Sequence, residues 1–331
     1  MTIARVLITG AGGFIGRHLV RDQLARGHQV RALDRSAEAL RDLPAHGNLE
    51  SMVGDVTNPE VQRTAVAGVD VVFHLASAHL ERRTPYAHYR RTNVEAVESL
   101  VDASGGAGVG RFVHVSSSSV HGNIARPPAD EAAPFQPDIA YERSKADGEV
   151  AALNTGRHRG VPVVVARPVW VYGPGCRRTA RLFGSVAGGR FVWLGRGANR
   201  RSCVYITDCL EGLELCARTP GVDGEAFLLT HDEPVTVRQI VEQIAAVVGA
   251  PVPRWRAPIS IGWAVAGLAE LAGVALRKAP PLSRRSLKFF TTDAGFTGAK
   301  ARAMLGFTPK VNLRRGLDMT CHWWRSNGGG H

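Results

Sequence analysis

Cysteine is scarce and poorly placed for a scaffold role: the 331 residues hold five, Cys176, Cys203, Cys209, Cys216 and Cys321, with no C-x-x-C pair among them. That odd, unspaced set excludes a disulfide framework and a zinc ribbon, and a reducing cytoplasm is the expected setting. Lysine is scarce too, since only five of the 41 basic residues are Lys. A formal charge of +12 would suit a polyanion, yet the arginines form no block, helix stripe or aromatic-interleaved cluster, so no nucleic-acid partner is expected. Long apolar runs are also missing. The longest, residues 259–276, contains Glu270 and falls short of the roughly 20 residues of a transmembrane span. Flanked by Arg256 and by Arg277-Lys278, it reads as a helix packed on the rest of the chain, with a peripheral membrane contact as the alternative. The amino terminus, Met1 to Val6, runs straight into a strand pattern without the charged and apolar regions of an export signal.

The remaining composition is that of a folded globular chain. Hydrophobic residues make up 44% and charged residues 21%, which excludes wholesale disorder, and 37 glycines imply many tight turns or close backbone approaches. In the first half, short β-branched runs (residues 5–8, 29–33, 70–75, 111–115 and 161–166) alternate with amphipathic stretches. Strand-helix-strand units in series predict a parallel sheet covered on both faces. A helix starting near Ile139 should carry Tyr141 and Lys145. After Pro174 the pattern becomes irregular, with a strand near Val204, a helix from Thr207 as N-cap, and a capping box at Thr236 and Gln239. Residues 1–175 are expected to form a dinucleotide-binding domain, with segments near 200–230 returning to it. Residues 176–331 are expected to form a smaller substrate-binding region.

The first strand-to-helix junction, Thr9-Gly10-Ala11-Gly12-Gly13-Phe14-Ile15-Gly16, places Gly10, Gly13 and Gly16 where backbone would approach a pyrophosphate at a helix N-terminus. Asp34 closes the second strand, where a carboxylate accepts from an adenosine ribose and repels a 2′-phosphate, favouring NAD. Arg35 beside it leaves NADP open, because a guanidinium binds that phosphate. Tyr141 and Lys145 stand at i and i+4, so a phenol and an ammonium share one helix face. A free phenol near pKa 10 is a poor base at neutral pH, and a neighbouring ammonium favours its ionised form. The run Ser116 to Ser119 follows the fifth strand, where a hydroxyl can polarise a substrate oxygen beside Tyr141. His74, His114 and His121 lack a second ligand at zinc-type spacing, so no metal is expected. Met304, Trp263, Trp323 and Trp324 are read as core or helix-packing residues.

With these motifs in place, the chain resembles the extended short-chain dehydrogenases/reductases, the NAD-dependent epimerase/dehydratase superfamily, over nearly its whole length. The resemblance rests on residues 10–16, Gly54-Asp55-Val56, His74-Leu75-Ala76, Thr92-Asn93-Val94, Ser117, the Tyr141-to-Lys145 spacing and residues 167–175. It implies a Rossmann-type doubly wound α/β fold with a smaller C-terminal substrate-binding domain, an NAD cofactor and a homodimer. Aligning Val120-His121-Gly122 with the family's Val-Tyr-Gly selects Ser117 as the catalytic hydroxyl, beside Tyr141 and Lys145. The resemblance further implies that Phe14, Ile15, Asp55, Val56, Leu75, Ala76, Asn93 and Pro168 line the cofactor. Ser118, His121, Trp170 and Arg201 would face substrate, with His121 departing from the usual Tyr and open to a packing role instead.

Residues 259–309 resemble the 3β-hydroxysteroid dehydrogenase branch, and Trp170 suits an apolar substrate wall. Arg201 matches an arginine that nucleotide-sugar members use on a diphosphate. The expected activity is hydride transfer between nicotinamide and an apolar secondary alcohol or ketone, either hydroxysteroid-like or a β-hydroxy/keto compound. The rivals are a nucleotide-sugar epimerase or dehydratase with tightly bound NAD, and a non-catalytic cofactor sensor.

Overall fold

A computed structural model describes residues 5–78, 84–231, 233–275 and 284–328. Seven strands form one parallel sheet: β1 (Arg5–Thr9), β2 (Gln29–Asp34), β3 (Leu49–Val53), β4 (Val71–His74), β5 (Arg111–Val115), β6 (Val163–Pro168) and a last strand, Ala226–Leu229. Their order across the sheet is Ala226–Leu229, β6, β5, β4, β1, β2, β3. Chain order reverses at β1, whose neighbours are β2 and β4, both parallel to it. A doubly wound sheet opens its ligand crevice at such a switch point, beyond the carboxyl ends of the strands.

The strands are apolar on both faces because helices cover both. Val6, Ile8, Val71, Phe73 and Val113 point into one core together with Leu19, Cys209 and Leu213. The alternate residues Leu7, Val72 and Phe112 point into another with Val66, Leu100 and Ala152. This two-residue alternation, with both sets apolar, is what a buried parallel sheet requires. Two strands lack the β-branched signature: β3 is a largely exposed edge strand, and Ala226–Leu229 is only four residues long.

Local signals hold in part. The Thr236 hydroxyl accepts from the Gln239 N–H and the Gln239 side chain returns the bond, opening the Val237–Val248 helix as a capping box. The helix after the Cys203–Tyr205 strand begins at Ile206 with Tyr205 as its N-cap, so Thr207 lies one turn position inside and caps nothing. Trp324 packs edge-to-face on Phe183, whereas Trp263 and Met304 are exposed and belong to no core. All five cysteines are buried free thiols. The Ile259–Ala275 helix packs on Leu194 and Leu287. Its Glu270 side chain, residues 276–283 with the Arg277-Lys278 pair, and the Gly329-Gly330 tail lie outside the described residues. No helix among the described residues is long and apolar enough to cross a membrane.

Candidate active site

Gly10 and Gly16, at the junction after β1, sit where a side chain would not fit. Gly10 has φ +69°, and a Cβ there would stand 2.8 Å from the Ala76 nitrogen; a Cβ on Gly16 would stand 2.2 Å from the Gly10 carbonyl oxygen. Gly13 is exposed, and the Phe14–Ala25 helix opens behind it with no side-chain cap and no acidic residue in its first turn. Unfilled donors and a positive helix end suit a diphosphate. Phe14 and Ile15 are half-buried at this entrance.

At the end of β2, the Asp34 carboxylate accepts from Gly12 N–H through Oδ2 and from Ser36 N–H through Oδ1, both at 3.0 Å. These bonds fix the carboxylate at the edge of the glycine turn, with lone pairs left for a ribose hydroxyl. Arg35 beside it is exposed. Asp55 accepts from the Thr57 N–H at 2.8 Å, and that bond holds its pKa below the ordinary carboxylate value. Val56 packs in the core with Leu33, leaving only its edge accessible. Leu75 and Ala76 are half-buried where β4 ends, and Thr9 ties that turn to β1 by accepting the Ala76 N–H at 3.1 Å. Pro168 is buried at the end of β6. The cradle, the carboxylate and the open helix end together fit NAD.

Ser117 follows the end of β5, and Lys145 reaches the same strand end. Ser117 is extended, half-buried and the N-cap of the 3-10 turn Ser118–His121, its hydroxyl accepting from Ser119 N–H at 3.2 Å. Lys145, on the Ala140–Arg159 helix, donates its ammonium to the Val115 carbonyl at 2.8 Å. Burial pushes its pKa down to about 8 against an opposing contribution from Glu149. Tyr141, one turn earlier, is half-buried with its ring edge-to-face on Tyr89 at 6.0 Å. Beneath them lie His74 and His114, register partners on β4 and β5 with stacked rings 5.6 Å apart. Burial lowers the His74 pKa to about 3 and the His114 pKa well below its ordinary value.

Sequence reasoning missed how this helix is held. Asn93 sits in a π-helical turn, Arg91–Glu95. Its Oδ1 accepts from Ala78 N–H at 2.8 Å and from Ser77 Oγ, and its Nδ2 donates to Ser144 Oγ at 2.8 Å, which in turn donates to the Tyr141 carbonyl. Asn93 is thus a tie between the β4 loop and the Tyr141 backbone, with its amide already engaged. A second tie is the buried pair in which Arg167, on β6, donates through Nε to both carboxylate oxygens of Glu149 at 3.1 and 3.0 Å. The Thr-Asn-Val motif and the Arg before Pro168 were visible in sequence, but their partners were not.

On the substrate side the picture changes for two residues. His121 is buried, accepts from Arg167 Nη1 at 3.2 Å and packs on Phe135 and Phe296, the contacts of a packing residue. Arg201 donates to the Lys288 carbonyl at 2.6 Å and the Phe289 carbonyl at 3.3 Å, with its guanidinium over the Phe289 ring. Trp170 meets Phe289 edge-to-face at 6.1 Å and lies under the Arg178 guanidinium. Ser118 is half-buried at the start of the 3-10 turn. Among the described residues no cluster of three His, Cys, Asp or Glu side chains could hold a metal ion.

Residues 6–229 match the NAD dependent epimerase/dehydratase family. The chain is 31% identical to a 2-alkyl-3-oxoalkanoate reductase of Stenotrophomonas maltophilia over 327 residues, covering 95% of this chain and 97% of that protein. It is 32% identical to a 3 beta-hydroxysteroid dehydrogenase/Delta 5-->4-isomerase of Mycobacterium tuberculosis over 333 residues, covering 95% and 89% of the two chains. Among solved structures, it is similar to the dTDP-glucose 4,6-dehydratase DesIV of Streptomyces venezuelae with NAD and TYD bound. There the identity is 27%, the TM-score 0.79, and 98% of each chain is covered.

Proposed function

The chain belongs to the NAD dependent epimerase/dehydratase family and is an NAD-dependent enzyme of the extended short-chain dehydrogenase/reductase type, and from that premise we propose that it interconverts an apolar secondary alcohol and its ketone. The Gly10-to-Gly16 cradle and Asp34 would hold NAD, which would supply the hydride acceptor or donor. Tyr141 transfers the proton of the substrate oxygen, and Ser117 holds that oxygen by a hydrogen bond. Lys145, anchored by the Val115 carbonyl, presents its positive charge on the same helix face as Tyr141 and so favours the phenolate.

The observation that carries the substrate reading is the aromatic wall of Trp170 and Phe289, with Arg201 turned onto the Lys288 and Phe289 carbonyls. Two guanidinium donors engaged by backbone do not favour a diphosphate at this position, whereas an indole facing a phenyl ring suits an apolar ring or chain. By their names, the reductase relative acts on the oxo group of a 2-alkyl-3-oxoalkanoate, an alkyl-chain carboxylate, and the dehydrogenase relative on a 3 beta-hydroxysteroid.

The test is to incubate the protein with NAD and two panels, hydroxysteroids with β-hydroxy acids, and UDP- or dTDP-sugars, while following absorbance at 340 nm and product identity. Net NADH formed in proportion to an apolar alcohol is the expected result. A new sugar nucleotide with no net NADH would overturn it in favour of an epimerase or dehydratase, in which the electrons return to the same substrate.

A further inference from the structure

Apart from Ser260 and Glu270 the Ile259–Ala275 helix is apolar, and over residues 259–269 only one of its faces is covered. Gly262 and Ala266 are buried against Leu194 and Leu287, and a Cβ on Gly262 would stand 3.0 Å from the Leu194 side chain. The opposite stripe, Ile261, Ala264, Val265 and Leu268 at helical spacing, is exposed, and Leu268 is 68% exposed. Trp263 flanks that stripe and is exposed as well. A helix without a polar face is stable only in a core or in lipid. Over residues 261–268 the outer face of this one meets neither among the described residues.

The neighbouring segments continue the pattern. The Arg256–Ala257 strand pairs with Trp193–Leu194, so Leu194 joins the two short strands to the helix. Beside these strands Val192, Val252 and Trp255 are exposed, Trp255 at 74%. Exposed arginines sit among them at Arg190, Arg196, Arg254 and Arg256, and neither residues 187–207 nor residues 243–269 contain any Asp or Glu. Apolar stripe, exposed tryptophans and a purely cationic border are the three parts of an interfacial membrane anchor.

We propose that the outer face of residues 261–268 in this helix, with Trp255 and the arginines beside it, docks the protein on an anionic lipid surface. The cationic border decides between occupants. A two-fold contact between two copies of this patch would oppose arginines to arginines with no carboxylate from residues 187–207 or 243–269 to answer them, whereas anionic headgroups neutralise them. The proposal does not depend on the substrate assignment, although it bears on it: the helix shares the Leu194 and Leu287 cluster with the Arg284–Thr291 helix, whose Phe289 forms the Trp170 wall.

Flotation of the full-length protein with phosphatidylcholine vesicles, with and without phosphatidylglycerol, tests this. Wild type should float with the phosphatidylglycerol vesicles and be released by high salt, because screening weakens the arginine contacts. Replacing one border arginine should cost about five-fold in vesicle partitioning, and Arg254→Glu/Arg256→Glu should abolish flotation. Trp263→Ser/Leu268→Ser should do the same. These residues are exposed, and an unchanged thermal midpoint and NADH titration of each variant establish that its fold is intact. Wild type left at the bottom of the gradient with both vesicle types overturns the proposal. So does flotation that the variants leave intact, or a concentration-dependent doubling of mass removed by Leu268→Ser, which would assign the face to a second copy.

Discussion

In the proposed mechanism Lys145 has to satisfy two opposed demands, since its charge is to favour the Tyr141 phenolate while its position is buried. Its pKa of about 8 lies below the 10.5 of an exposed lysine because burial disfavours the ammonium. Between those two values the unfolded chain holds a proton that the native chain has released, so stability from this group rises with pH across the window, and below pH 8 the native state bears the cost of a buried charge. That cost is on the order of 3 kcal/mol. Lys145→Met should therefore raise the thermal midpoint relative to wild type at pH 7, with the gap closing between pH 8 and 10.5, while turnover falls. A gap that stays constant with pH would show that the ammonium is not what the native state tolerates. Tyr141→Phe removes only the phenol hydroxyl; it should lower kcat by roughly 10²–10⁴-fold while NADH titrates within a few-fold of wild type. Unchanged turnover would remove Tyr141 from the mechanism.

Along the Ala140–Arg159 helix, Gly148 is the position where two elements come closest. A Cβ there would stand 1.9 Å from the carbonyl oxygen of Asn93, in the π-helical turn Arg91–Glu95. The wider turn and the glycine are complementary, and their contact sets the depth at which Asn93 reaches Ser144 and, through it, the Tyr141 carbonyl. Gly148→Ala must move one helix or rewind the other. We expect a loss of about 1–3 kcal/mol in urea unfolding, accompanied by reduced turnover. Gly106 provides the control, because it lies in the last turn of the Ala96–Gly106 helix with open space where a Cβ would go. Gly106→Ala should be neutral or slightly stabilising in the same assay; equal damage from both substitutions would refute the packing argument.

The whole sheet carries a pH dependence through its central strands. His74 and His114 stand on adjacent strands β4 and β5 and are buried as neutral rings, with His74 bonded to Thr9 Oγ1 at 2.9 Å. Their native pKa values lie below the 6.5 of an exposed histidine, so as the pH falls below 6.5 the unfolded chain takes up protons that the native chain refuses. Stability is then lost with falling pH at about 1.4 kcal/mol per pH unit for each ring, continuing for His74 to about pH 3. Both His114 nitrogens lack a partner among the described residues, so an apolar ring should be tolerated there. His114→Phe should unfold at a higher urea concentration than wild type at pH 4.5 and show a shallower decline between pH 6.5 and 4.5. An identical acid limb in both proteins would place the pH dependence elsewhere.

Features that depend on spacing along the chain were determined by the sequence: the alternation of strands and helices, the glycine turn after β1, the Tyr141–Lys145 pair one turn apart, and the Thr236 capping box. Each is a contact between near neighbours, so helical and extended geometry alone bring the residues together. The edge strand β3 escaped because an exposed strand needs no apolar run, and Thr207 misled because the helix starts at the preceding residue. What the tertiary structure decided are meetings between distant residues. Asn93 with Ser144, Arg167 with Glu149 and His121, and Arg201 with the Lys288 and Phe289 carbonyls each join different elements. No local pattern encodes those partners, because they are set by how the helices and loops pack on the sheet. The same holds for the Ile259–Ala275 helix, whose largely apolar character was plain in the sequence, whereas the exposure of Ile261, Val265 and Leu268 depended on how the described chain packs around it.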